Sequence, residues 1–390
     1  MSEEPVGGDL SRLRQLNASA VLRELRGDQP LTLTELSKRT GLSRASTEDV
    51  ARDLLGRGWL AEVAPALGSV GRPARRYRFN AGAGRLLGVD IGGHKALALV
   101  TDLDGEVLSQ TRIAVEPEAG RRERLAVLDR CVAKALAGAG VEAGQIWSTG
   151  VATTGLVDGS GKVMLSDSLP EWSGVDLAAH VRRLVPGPVR VENDCKLAAL
   201  AETWHGVARY AKDVVFLLAG LRTGAGLIID GKLHRGFANW SGEIGALPAA
   251  GWLRAPEHLT NWLEGTAQPA APSSATSASS PAPVEFESVF IAARAGDPGA
   301  TQAVRDYVRD LAVGTSALVL TLDPQLVVIG GGFSRSADVM VEPLRRELDR
   351  WCLRTPEIRV SAFADEGVAL GAVRLALDAV ESTITTGLRP

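Results

Sequence analysis

The chain has 390 residues, 45% of them hydrophobic, with 43 glycines, 43 Lys+Arg and 46 Asp+Glu for a formal net charge of -3. That length exceeds one ordinary domain, and the composition belongs to an α/β protein with a large core and many turns, which excludes disordered and fibrous classes. No apolar run reaches about 18 residues, and the opening MSEEPVGGDLSRLRQL is acidic where a secretory leader is basic and then apolar. The expectation is a cytoplasmic protein with no membrane partner. Cys131, Cys195 and Cys352 stand far apart without a Cys-x-x-Cys pair, which argues against disulfides and thiolate metal sites. Charge is unevenly placed: residues 1–80 carry 13 basic and 10 acidic side chains, and GRPARRYRF holds four arginines and no acid. A basic cluster on a small N-terminal unit points to a polyanion.

In chain order, ASAVLRELR sets Val21, Leu22 and Leu25 on one helical face. LTLTELSKRTGLSRASTEDVARDLLGRGWL then reads as helix, turn, helix. Thr32 with Glu35 three residues on forms a capping box, Leu36 faces inward, Gly41 marks the sharp turn, and Ser43 caps a second helix carrying Val50, Leu54 and Leu55. WLAEVAP and RRYRFN predict a hairpin with a Gly71-Arg72-Pro73 tip. Residues 1–80 therefore read as a winged helix-turn-helix. Ser43, Arg44, Ser46 and Thr47 open the second helix, where side chains reach phosphates and base edges of a major groove. Arg72, Arg75 and Arg76 belong to the wing, whose narrow tip suits a minor groove. The predicted partner is double-stranded DNA.

Beyond residue 81, strands and helices alternate. LLGVDIGGHKALALVTDLDG predicts strand, tight turn, strand, with Asp104-Gly105 as the next turn. Asp90 before Gly92-Gly93 is an arrangement that lets a backbone approach phosphates beside a metal-holding carboxylate. His94 and Lys95, however, stand where a small hydroxyl side chain is usual. GQIWSTGVATTGLVD reads as a buried strand and loop, PVRVENDCKLAALAETWHG as a strand running into a helix, and DVVFLLAGLRTGAGLIIDGKLHRG as a hairpin. TQAVRDYVRDLAVGTSALVLTLDPQLVVIGGGFS reads as a long helix and a buried strand ending in glycines. Residues 265–285 are low-complexity Ala/Pro/Ser and predict a surface loop.

The order of GVDIGGHK, VENDCKLAALAE, GLRTGAGLIIDGKLHRGFANWSGEIG, NWLEG, VVIGGGFS and GVALGAVRLAL behind a winged helix resembles the ROK family of repressors and sugar kinases. The resemblance spans nearly the whole chain. It implies two ribonuclease-H-like lobes of the actin/hexokinase superfamily: residues 82–195 with a returning C-terminal helix near 366–381, and residues 196–365. It also implies that Asn193, Asp194, Glu243 and Glu264 hold sugar hydroxyls, with Ser168 at the sugar edge in place of an asparagine. In the family's kinases, the position of Asp194 is the general base. Asp90, Gly92, Gly93, Thr223, Gly224 and Gly331 would be remnants of a nucleotide site. The family's zinc-binding histidine position holds Ala246 and its cysteine knuckle is missing, so neither a metal nor another cofactor is expected, and Trp252, Leu253, Leu259, Trp262 and Leu263 should hold that segment by apolar packing.

Three functions compete at this level: a transcriptional regulator, expected to be a repressor of carbohydrate-related genes, controlled by a sugar-like ligand; an ATP-dependent sugar kinase with a DNA-binding module; and a ligand-independent DNA-binding protein. A homodimer or homotetramer on a palindromic operator is the expected assembly for the first.

Overall fold

The computed structural model describes residues 10–26, 29–63, 74–266, 283–363 and 365–386. The N-terminal head consists of α1 (Leu10–Leu25), β1 (Leu31–Thr32), α2 (Leu33–Thr40), α3 (Arg44–Gly56), β2 (Leu60–Val63) and β3 (Arg76–Phe79). Its start signals act as their chemistry dictates. The Glu35 N–H donates to Thr32 Oγ1 (3.2 Å) while the Thr32 N–H donates back to the Glu35 carboxylate (2.7 Å), closing the capping box. Gly41 ends α2 with φ 71°, a left-handed conformation that favours glycine. The wing is three-stranded in the order β1-β3-β2, because the two residues before α2 pair antiparallel with β3. That short strand, lacking any alternation long enough to register, was not predicted.

Lobe I follows with β4 (Arg85–Ile91), β5 (Lys95–Thr101), β6 (Val107–Ala114), α4 (Arg121–Ala139), β7 (Ile146–Thr153), the small hairpin β8 (Leu156–Val157) and β9 (Val163–Leu165), α5 (Leu177–Arg182) and β10 (Val189–Asn193). A linking helix, α6 (Asp194–Trp204), leads to lobe II: β11 (Val214–Leu218), β12 (Gly224–Ile229), β13 (Lys232–Leu233), α7 (Ala255–Thr266), α8 (Pro283–Arg294), α9 (Pro298–Leu322), β14 (Leu326–Gly330), α10 (Ala337–Trp351) and β15 (Glu357–Val360). Finally α11 (Gly367–Thr386) returns to lobe I. The two five-stranded sheets share one topology. In the order β6-β5-β4-β7-β10 and in β13-β12-β11-β14-β15, three antiparallel strands are extended by two parallel ones.

Central strand β4 is apolar except at Arg85 and Asp90, because both faces are covered. Leu87, Val89 and Ile91 pack into the cluster beneath α4, whereas Leu86 joins Ala369, Val373 and Leu377 of α11. A Cβ on Gly88 would strike Ala369 and Val373, so glycine lets α11 lie close on the sheet. Asp90, next in that alternation, shares the face of Leu86 and Gly88. The head is not a separate bead. Val21 and Leu25 of α1, Trp59 and Phe79 belong to the same buried cluster as Leu86, Leu97, Leu103 and the α11 residues. Low-complexity composition overreached at its edges, since Gly265 and Thr266 complete α7 and Pro283 already opens α8. The rest of that predicted loop lies outside the described residues.

Candidate DNA interface and inter-lobe site

Helix α3 offers its N-terminus to solvent. Ser43 caps it, accepting from the Ser46 N–H (3.1 Å) with the Ser46 hydroxyl 2.9 Å away, and Arg44 is exposed beside them. Thr47 does not join this surface. It is fully buried and its hydroxyl donates to the Ser43 carbonyl (2.9 Å), because the fourth position of the helix turns back onto the head's core. Arg75 is exposed, paired only loosely with Glu62 (3.3 Å). Arg76, with 37% of its side chain exposed, donates to the Pro30 carbonyl (3.3 Å) and approaches Glu35 of the capping box (3.9 Å), which ties β3 to the chain entering β1. Arg78, two residues on, is exposed and was passed over. Arg72 and the wing tip lie outside the described residues.

Between the lobes, the strand-to-helix junction β10–α6 builds the candidate ligand site. Asn193 is the cap of α6: its carbonyl accepts from the N–H groups of Cys195 (2.9 Å) and Lys196 (3.3 Å), and its amide donates to the Gly155 carbonyl (3.1 Å). This side chain therefore spends its hydrogen bonds positioning the helix. Asp194 opens the first turn, accepting from the Thr154 hydroxyl (3.0 Å) and the Cys195 N–H (2.8 Å). Burial pushes its carboxyl up, against those donors. Glu243 comes from lobe II. Although the residue as a whole is exposed, partial desolvation raises its carboxyl; Lys196 opposes, and the charge of Asp194 adds to the rise.

Beneath them is a buried polar network that sequence reading missed. Glu192, 2% exposed, accepts from the Asn193 N–H (3.0 Å), the Asn239 amide (2.9 Å) and Arg235 Nε (2.7 Å). Buried Lys196 donates to the Asn239 carbonyl and lies 3.7 Å from Glu192. Asn239 also donates to the Val157 carbonyl (2.9 Å), tying lobe II to the β8–β9 hairpin. A signal existed in the Glu192–Lys196 spacing of four, but only the structure shows both ends buried.

The first glycine loop is engaged differently. Asp90 is 6% exposed, and burial lifts its carboxyl to about 7, with Lys95 pulling down and Asp194 pushing up. Lys95 Nζ stands 3.7 Å from that carboxylate and donates to the Asp365 carbonyl, while His94 points outward. Gly92 and Gly93 present carbonyls to Arg124, a fully buried arginine of α4 that also donates to the carbonyls of Pro117 (3.2 Å) and Ala119 (3.1 Å). In lobe II, the Thr223 hydroxyl is buried. Gly224 is small because Cys195 packs on it: a Cβ there would lie 2.6 Å from Sγ. Gly331 has φ 87° and lies against the Ala219 carbonyl. Arg222, beside this loop, faces Asp167 and Asp194 of lobe I.

Glu264 is exposed near the end of α7. Ser168 is partly buried, next to the exposed Asp167. The segment without cysteines is held by Trp252, buried against Gly314 and donating to the Leu311 carbonyl (3.0 Å), and by Leu259. Trp262 and Leu263 pack partly, but Leu253 is 71% exposed. An ionic hub completes it: buried Asp310 accepts twice from Arg254 (2.8 Å each) and faces His258 (2.9 Å). Among the described residues no group of three or more His, Cys, Asp or Glu is placed to hold a metal ion.

Comparison with known proteins fits this geometry. The ROK family model matches residues 86–379, about three-quarters of the chain, and the IclR helix-turn-helix domain matches residues 17–64. The chain belongs to the ROK family. It is 23% identical over 389 residues to a xylose repressor of Caldicellulosiruptor bescii, covering 95% of this chain and 97% of that one. It is 28% identical over 288 residues to a glucokinase of Streptomyces coelicolor, covering 69% and 88%. Among solved structures, a ROK family transcriptional regulator homologous to the E. coli MLC protein superposes with TM-score 0.77 at 21% identity, covering 97% and 100%. A ROK glucokinase from Streptomyces griseus, in complex with glucose and AMPPNP, gives 0.60 at 25% identity, covering 76% and 100%. In this ROK chain Lys95 lies 3.7 Å from Asp90 and the Thr223 hydroxyl is buried. No helix among the described residues is long and apolar enough to cross a membrane.

Proposed function

We propose that this protein is a DNA-binding transcriptional repressor of carbohydrate-related genes, whose operator affinity is set by a sugar-like ligand bound between the lobes. The observation that carries the reading is the strand-to-helix junction between the lobes: Asp194 opens α6, held by the Thr154 hydroxyl and the Cys195 N–H, and Glu243 of lobe II senses its charge, where the kinases of the family hold sugar. Carboxylates are acceptors for vicinal hydroxyls. The head supports the DNA half through an α3 N-terminus with Ser43, Arg44 and Ser46 at its open end. The relatives named xylose repressor, matched along almost their full length, support the same reading. Two copies on a palindromic operator is the assembly we assign, since paired recognition helices read paired half-sites.

The kinase reading has one observation in its favour, the Thr154-bonded Asp194 at the general-base position. A single experiment separates the two. Operator duplexes selected on the full-length protein are titrated with xylose, glucose and their phosphates, with and without Mg-ATP, while ADP production is followed. The repressor reading requires a sugar-dependent loss of operator binding without ADP release; sugar-dependent ADP release abolished by Asp194→Asn would replace it with the kinase.

A further inference from the structure

The head and the inter-lobe site are joined through α11, which is ion-paired to the head at one end and packed against α6 of the site. Arg26 is the first residue after α1. Its guanidinium bonds Glu381 of α11 (2.8 Å), donates to the Leu103 carbonyl (3.3 Å) and lies 4.6 Å over the Phe79 ring, so the end of the head's first helix is tied to both α11 and lobe I. Glu381 in turn accepts from Arg374 (3.2 Å), about two turns earlier on α11, and Arg374 bonds Asp378 (2.6 Å). At the inter-lobe site, Lys196 of α6 lies 3.7 Å from Glu192, whose carboxylate accepts from Arg235 Nε of lobe II (2.7 Å). Glu192 receives the Asn193 N–H, directly before Asp194.

The backbone under this set is close-packed. A Cβ at Gly371 of α11 would overlap the Leu197 carbonyl of α6 (1.8 Å), and one at Gly150 of β7 would overlap the Ala372 carbonyl (1.9 Å). With no slack at those crossings, a shift of α6 or of the Arg235 segment is passed to α11 as a rigid element. Arg26 itself is 17% exposed at its side chain, and its acid partners Glu381 and Asp104 come from α11 and the β5–β6 turn. A movement of Glu381 therefore changes the compensation of a largely desolvated charge, which is a steep energetic lever.

We infer that Arg235, Glu192 and Lys196, the close α6–α11 crossing, and Arg374, Glu381 and Arg26 form the relay that sets the head's orientation according to the state of the inter-lobe site, with Arg235 and Arg26 as its two positioning ends. Neither end lies on the exposed N-terminus of α3, so the relay acts on DNA only through the pose of the head. This rests on the DNA-binding half of the proposed function and does not require that any sugar bind.

The test uses the full-length protein with Arg235→Gln, Arg26→Gln and the double variant, and Glu381→Gln as a second head-end change should Arg26→Gln not fold. Operator affinity is read by fluorescence anisotropy at fixed salt. Arg235→Gln, remote from the DNA surface, should change affinity by about threefold or more, the scale of coupling carried by such networks. The double variant should do no more than the larger single, the signature of two residues on one path. Hydrogen exchange supplies a second readout without DNA: Arg235→Gln should speed exchange in the last turn of α1. Wild-type operator affinity and unchanged α1 exchange in Arg235→Gln, or single effects that simply multiply, would overturn the relay. If xylose and glucose have no effect on the wild type while the cycle is non-additive, the ligand assignment falls and the relay stands.

Discussion

Arg44 stands exposed one residue beyond the Ser43 cap, and Arg75 stands exposed at the foot of β3; they are predicted to act differently on DNA. A guanidinium at a helix N-terminus in a major groove reads a base edge, so Arg44→Ala should cost about 1–3 kcal/mol and relax specificity at one position. Arg75→Ala should weaken binding to all sequences alike and flatten the salt dependence by about one phosphate contact. Gel shifts on operator and random duplexes at several salt concentrations check both. Thr47 belongs to neither class: its hydroxyl is inside the head, and replacing it affects folding before recognition. Asp90 carries a pH signature. Its carboxyl titrates near 7 in the folded chain and at 3.8 ordinarily, so between those values the folded chain holds the extra proton. Stability attributable to Asp90 is therefore full below the lower value and falls as pH rises through about 7. Asp90→Asn should leave stability unchanged near pH 4. After the lost Lys95 pairing is counted, it should raise stability by about 1–2 kcal/mol at pH 8, as read by denaturant melts at both values.

At the scale of elements, the segment from Ala250 to Thr266 is held by packing and charge: Trp252 is wedged against Gly314, and Asp310 gathers Arg254 and His258. Burial raises the Asp310 carboxyl but the Arg254 and His258 bonds outweigh it, leaving it below the ordinary value. Its stabilisation is present above the ordinary carboxylate pKa and is lost as pH falls through the lowered one. Asp310→Asn should cost about 2 kcal/mol at pH 7, because Arg254 is half exposed and its charge is partly solvated. The loss should shrink toward pH 3 in thermal melts. Apolar residues at helical spacing had suggested packing alone, and Trp252 and Leu259 obey it, but Leu253 points to solvent and the hub was unseen. An aspartate in α9 meets an arginine more than fifty residues earlier, a pairing that no local pattern encodes.

For the whole molecule, two absences of response are expected. Protein dialysed against chelator should carry far less than one zinc per chain by elemental analysis; about one per chain would contradict the ligand count. Mg-AMPPNP should give no saturable heat by calorimetry, since Lys95 already holds Asp90 and the Thr223 hydroxyl is buried. Sub-millimolar binding to the wild type would contradict that account, whereas a signal appearing only in Lys95→Ser would show the ammonium to be what closes the loop. The fused core of head, lobe I and α11 gives a related expectation: the head and lobe I should melt together, in one transition, by calorimetry.

Sequence by itself determined the parts whose physics is local. The capping box at Thr32 and Glu35, the glycine turn at Gly41, the apolar run of β4 and the Asp104-Gly105 turn follow from hydrogen-bond reach and backbone freedom over a few residues. The order of motifs carried the fold class and family. Tertiary structure alone decided which of the named side chains are free to act. Asn193 caps α6, Thr47 faces inward, Arg76 is tied to the Pro30 carbonyl, Glu264 is exposed, and Lys95 lies 3.7 Å from Asp90. It also decided the long-range charges, Arg26 to Glu381 and Arg235 to Glu192, because a buried ion is placed only when distant elements fold against each other and share the desolvation between them.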